Sequence, residues 1–221
     1  MSLLKKGSLF MPISIMDSFK KHIKSNFIIY FLIILCLLIG ISVGGFTVKV
    51  ISSSHKQELV AYLKGFFQLF HNEEIRNVDI FLQSLINNLQ LLSLSWIFGI
   101  LVVAIPGIIF IICFKGFVIG FTVGLLIEQF KFKGILLFLL GVLPQNLIII
   151  PIFITASTIS LSFALMLIKN KLNKSKQINF YKQFLIYTTS YVVLALLILI
   201  AVSIETFISP IFMKIISGYI Q

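Results

Sequence analysis

Acidic side chains are scarce in this chain: seven Asp and Glu stand against eighteen Lys and Arg in 221 residues, and charged residues of both signs reach only 11%. Soluble domains carry about 25% charged residues, so there is too little charge here to clothe a water-exposed surface. Only two cysteines occur, Cys36 and Cys113, each inside an apolar run. That excludes a disulfide framework and supplies too few ligands for a metal site. The histidines, His22, His55 and His71, all lie outside the expected spans, and no Ser–His–Asp or Ser–Lys arrangement can be traced. His55, His71, Glu73 and Glu74 lack a zinc spacing such as HExxH. No glycine loop is arranged to cradle phosphate. The expectation is a protein without catalytic residues, metal ligands or cofactor.

What the chain has in quantity is hydrocarbon. Hydrophobic residues make up 59% and the mean hydropathy is +1.10. A chain of this length is too short to hide that much apolar surface in a water-soluble core, and its apolar runs repeatedly approach the roughly 18 residues that mark a membrane span. The fold class read from this is all-α: a polytopic helical membrane protein with about five transmembrane helices, whose first partner is membrane lipid. The net charge of +11 does not point to nucleic acid, because the lysines gather at the ends of apolar runs, where the positive-inside rule places them.

Residues 1–25 read as a cytoplasmic basic amphipathic segment. Ile15, Met16, Phe19 and Ile23 share a helix face apart from Lys20, Lys21 and Lys24, and the basic region is too long for a cleaved signal peptide. Residues 26–221 read as a single helical membrane domain. Its spans are expected at about 26–48, 91–113, 116–127, 134–168 and 184–206, with an external segment at 49–90 and a cytoplasmic loop at 169–183. The inner turn is expected between Pro106 and Gly116, and Ser209-Pro210 is expected to end the last helix. If both lysine-rich segments are inside, an even number of crossings separates them, which leaves 134–168 as one net crossing. Thirty-five residues of straight helix run about 52 Å against a hydrocarbon core of about 30 Å. Pro144 is the natural place for a break, with the side chains of Gln145 and Asn146 serving freed backbone groups. A layout with 116–127 re-entrant and two short crossings in 134–168 satisfies the charge rule equally.

The external segment is expected to form a helical hairpin. One arm carries Leu59, Leu63, Phe66, Phe67 and Phe70, an apolar stripe suited to docking a partner or to lying on the bilayer. The other carries Leu82, Leu85, Ile86 and Leu89. Gly40 and Gly44, and again Gly116, Gly120 and Gly124, recur every fourth residue, the spacing that lets helix backbones approach closely. Lys115, Gln145, Asn146 and Glu205 are the polar groups nearest to hydrocarbon, which makes them functional candidates. The plainer readings are a snorkelling Lys115 near the inner turn and an interfacial Glu205.

Four stretches, ISSSHKQELVAYLKGFFQ (51–68), FKGFVIGFTVG (114–124), LPQNLIIIP (143–151) and IETFISPIFMK (204–214), occur in an order that resembles the stage II sporulation protein M family over nearly the whole chain. That resemblance implies a multi-pass protein of the cell membrane in endospore-forming bacteria, required for engulfment and situated at the sporulation septum and mother-cell engulfing membrane. It further implies a scaffold without enzymatic activity that recruits and stabilises the peptidoglycan hydrolases stage II sporulation proteins P and D, and a possible oligomer. Related membrane proteins often carry a His and a Glu around the proline motif, where this chain has Gln145 and Ile149; Glu205 and Pro210 fit the wider pattern. The alternative is a small-solute transporter or channel built on a broken-helix site at Pro144–Asn146.

Overall fold

In a computed structural model, residues 23–71, 77–101, 105–172 and 179–217 are described. The side chains of 63, 64, 66–71, 77, 172, 205 and 207–217 fall outside that description. Among the described residues there is helix and no strand. The order is α1 (Phe27–Val50), α2 (Ser53–His71), α3 (Asn77–Ile100), α4 (Ile105–Phe130), α5 (Phe132–Leu137), a π-helical turn (Phe138–Val142), α6 (Leu143–Leu172) and α7 (Phe180–Ser217). Five stretches among the described residues are long and apolar enough to cross a membrane: Phe27–Val50, Val78–Ile100, Ile105–Phe130, Phe132–Lys171 and Phe180–Ile204. The protein is an all-α polytopic membrane protein.

Hydrophobicity does not drive one apolar helix onto another in lipid, where close packing and hydrogen bonds must do so. The most extensive contact is between α1 and α4, and it is made by the glycines. A Cβ on Gly40 would strike the Cys113 carbonyl, and one on Gly44 the Phe117 carbonyl. From the other side, Gly116 meets Leu37, Gly120 meets Ile41, and Gly124 lies beside Gly45 and Val48. These pairs advance together along both helices, so α1 and α4 run in the same direction. Bare backbone faces bare backbone there, and the Cys113 thiol donates to the Cys36 carbonyl at 3.3 Å.

The remaining spans close the bundle around Phe153, Ile33, Ile112 and Ile198, all fully buried. Ser95 bonds Ser160 across α3 and α6, while Tyr191 and Tyr187 of α7 reach the Ala156 and Trp96 carbonyls in reverse order. Thus α3 and α6 run parallel and α7 runs against them. Asn26, preceding α1, accepts from Ser162 in the second half of α6 at 3.0 Å. The other faces of α1 and α7 present Phe31, Ile28, Val192 and Leu196 outward, as lipid-facing helices do.

Four boundaries differ from the expectation. No turn falls between Pro106 and Gly116: α3 ends at Ile100, and α4 begins at Ile105 and runs unbroken through both residues. Pro106 is the second residue of α4, in the first turn, where a missing N–H leaves no bond unmade. Next, α3 is one helix from Asn77 to Ile100, so the second hairpin arm and the following span are continuous. Its polar residues do not mark a membrane boundary, because Ser84 and Asn88 bond each other inside the bundle. The third difference is at the proline motif. The helix does not stop at Pro144; it widens just before it, with Leu143 N–H bonded to the Phe138 carbonyl five residues back. A π-turn takes in the residue that the proline ring and its missing donor would otherwise displace. Lastly, α7 continues through Pro210 to Ser217, because a proline removes one helical bond and need not end a helix.

A tight corner precedes the π-turn. Lys131, with φ 53, is the single residue between α4 and α5, and Gly134 abuts the Leu126 carbonyl. Leu126 and Leu137 bury each other there, backed by Phe130, Phe138 and Leu140.

Candidate functional site

Polar groups inside the bundle gather along one face of α3. Lys115 is the eleventh residue of the 26-residue α4, so it lies near the middle of its span and not at a turn. Its ammonium does not snorkel toward an interface. It donates to Asn88 Oδ1 at 2.9 Å and stands 4.8 Å from the centre of the Phe153 ring. Asn88, 6% exposed, is oriented by donating its own amide to the Ser84 carbonyl at 2.8 Å. An amide oxygen and an aromatic face both attract an ammonium, so residues of α3 and α6 together hold this side chain.

Two turns further along α3 is a cluster that sequence reasoning missed. Ser95 and Ser160 have no exposed surface, and Tyr187 and Tyr191 have almost none. Ser160 donates to the Ser95 carbonyl at 2.9 Å, and its hydroxyl pairs with Tyr187 at 3.1 Å and, more closely, with Tyr191. Ser95 and Tyr191 share a bond of 3.0 Å. Tyr187 donates to the Trp96 carbonyl at 2.7 Å and Tyr191 to the Ala156 carbonyl at 3.0 Å. Phe163 stacks on Tyr187 with ring centres 4.3 Å apart, and Gly99 leaves the room that the Tyr187 hydroxyl occupies. The local sign of this in the sequence is the spacing of Tyr187 and Tyr191, one turn apart on α7.

At the proline motif, Asn146 Nδ2 donates to the Val142 carbonyl at 2.8 Å, so its side chain does serve the backbone of the π-turn. Gln145 is half-buried beside it. Asn146 thus bonds within its own helix, while Lys115 reaches across to α3. Glu205 lies in α7, with its side chain outside the described residues.

The expected docking stripe lies on α2, a long helix outside the five spans. Leu59 is half-buried, and the side chains of Leu63, Phe66, Phe67 and Phe70 lie outside the described residues. The start of α2 is fastened to the end of α4 by an ion pair, Lys56 Nζ to Glu128 Oε1 at 2.5 Å. Beside that pair is a groove of about 570 Å³ lined by Ile51, Lys56, Gln57, Val60 and Gln129 among others. No group of three metal-ligating side chains is found among the described residues.

With the bundle and its outlying helix in place, the comparison with known families is decisive. A family model described as Stage II sporulation protein M matches residues 33–210. The chain belongs to that family. The matched stretch takes in most of α1, all of α2 to α6 and the greater part of α7, so both polar groups and the α1–α4 glycines are inside it. Neither a curated protein nor a solved structure matches the chain. It is a sporulation membrane protein by that membership, and a multi-pass one by its helices.

Proposed function

We propose that this member of the stage II sporulation protein M family is a non-enzymatic scaffold of the engulfment machinery. In this reading it recruits and stabilises stage II sporulation proteins P and D, peptidoglycan hydrolases, at the septal and engulfing membrane. The observation that carries the reading is α2: a helix of 19 residues with an apolar repeat, held outside the spans and tied to the bundle by Lys56–Glu128. A bundle locked by backbone contact between α1 and α4 suits a rigid platform for such a helix.

The test is a pair of substitutions on the stripe, Leu59→Asp and Phe67→Asp, in sporulating cells. Membrane accumulation should stay normal while co-purification with protein P falls and engulfment stalls. Wild-type engulfment in the double variant would sink the scaffold reading.

A second reading, transport of a small solute, draws on the π-turn, since such distortions are frequent at functional sites. Replacing Gln145 and Asn146 by Leu separates the two. On the scaffold reading the pair of Leu lowers folded protein, and adding Pro144→Ala does not restore it. Normal accumulation and normal partner binding with lost engulfment would move the weight to transport.

A further inference from the structure

Asn88, Leu92 and Ser95 follow the i, i+4, i+7 spacing of a single helix face, and so do Phe153, Ser157 and Ser160 on α6. The two helices run parallel, and contacts fix their register at both ends. Lys115 joins Asn88 to Phe153, and Ser160 bonds Ser95. Ser157 therefore falls level with Leu92, between the Lys115 group and the hydroxyl cluster, and it is wholly buried.

Its hydroxyl has no hydrogen-bond partner. Helical hydroxyls ordinarily donate to the carbonyl four residues back, as Thr158 does to Ile154 at 2.8 Å and Ser190 to Ile186 at 2.9 Å. Ser157 does not make the corresponding bond to Phe153. Two more buried polar atoms lack partners: Trp96 Nε1, whose ring stacks on Tyr187, and Thr188 Oγ1 on α7. Buried polar groups are almost always hydrogen-bonded, and a wholly buried hydroxyl without a partner between two polar groups points to a ligand.

We propose that Ser157 is the centre of an internal binding site for a small neutral hydrogen-bonding molecule, water, that links the Asn88–Lys115 group to the Ser95–Ser160–Tyr191 cluster. The chemistry fits water and not an ion. A hydroxyl both donates and accepts, as water does, and the nearby charge of Lys115 is already engaged by Asn88 and Phe153. Ser157 and Leu92 are both buried, which suits an isolated bound water and not an open aqueous channel. This goes beyond the scaffold reading and does not depend on it.

The experiment uses the full chain, with Cys36 and Cys113 replaced by Ala so that the introduced thiol gives the only S–H band in the infrared. Ser157→Cys is compared with Ala164→Cys, a wholly buried position on the same helix, during transfer to D2O. The thiol introduced by Ser157→Cys should exchange at least about tenfold faster, because exchange needs water at the group. Alongside it, Ser157→Ala should lower the thermal unfolding midpoint, since a bound partner is lost; deleting a hydroxyl that truly has none leaves the midpoint unchanged or raises it. Exchange no faster than in Ala164→Cys, or a midpoint that holds or rises in Ser157→Ala, overturns the proposal.

Discussion

Tyr191 shows how much a single hydroxyl holds in this bundle. Its oxygen meets Ser95, Ser160 and the Ala156 carbonyl, joining three spans at one atom. Tyr191→Phe keeps the ring and removes that junction, and should cost about 1–3 kcal/mol in detergent unfolding, the usual result of leaving buried partners unmatched. Ser190→Ala is the control, because its hydroxyl bonds its own helix; it should stay within about 0.5 kcal/mol of the parent. Asn88→Leu takes away the oxygen that accepts from Lys115. The expected loss is about 1.5–3 kcal/mol, the range for hydrogen bonds to charged groups. In that background Lys115→Met should cost less than in the parent, because the bond to the amide is already gone.

At the scale of helices, glycines divide by what they face. Gly120 abuts the backbone of Ile41, whereas Gly65 on α2 has nothing within 4 Å of where a Cβ would be. Gly120→Leu should therefore force α1 from α4 and reduce folded protein in membranes. Gly65→Ala should be tolerated and should stabilise α2 by about 0.5–1 kcal/mol through helix propensity alone. Full accumulation of Gly120→Leu would contradict the close approach of the two helices. The glycine seam was legible in the sequence because its spacing is a local period, visible without knowing the partner helix. The start of α4 was not. Pro106 and Gly107 look like a turn, yet a proline in a first helical turn is at ease, and Gly107 lies against the Phe98 ring. The proline motif was legible as a disturbance, but not in kind: nothing in LPQN distinguishes a bend from a π-turn that begins at Phe138. The hydroxyl cluster was the least legible. Ser95 and Ser160 are 65 residues apart and Ser95 and Tyr191 are 96 apart, so no periodicity within one helix announces their meeting. Attention to charges passed over them.

Across the whole molecule, the helix directions sort the ends of the spans onto two faces. The Lys56–Glu128 pair sets the start of α2 and the end of α4 on one face, and Asn26 with Ser162 sets the start of α1 toward the end of α6. The distribution of lysine predicts the orientation, with the Leu172 end expected inside. In a chain lacking native cysteines, Glu58→Cys should react with an impermeant maleimide on intact cells, and Lys171→Cys only after lysis. Labelling of Lys171→Cys from outside would reverse the orientation.

The pairing of α1 with α4 also has a consequence in time. Eighty residues of chain separate Gly40 from Gly120, and at typical synthesis rates the ribosome needs roughly 4–16 s to make them. For that interval α1 stands in the bilayer with Gly40, Gly44 and Gly45 unpaired with α4, and α2 and α3 emerge before its main partner exists. Insertion of α1 is thus a separate event from its docking. A bulky residue at Gly40 should leave the first undisturbed and block only the second, exposing an inserted but unassembled chain to membrane proteases.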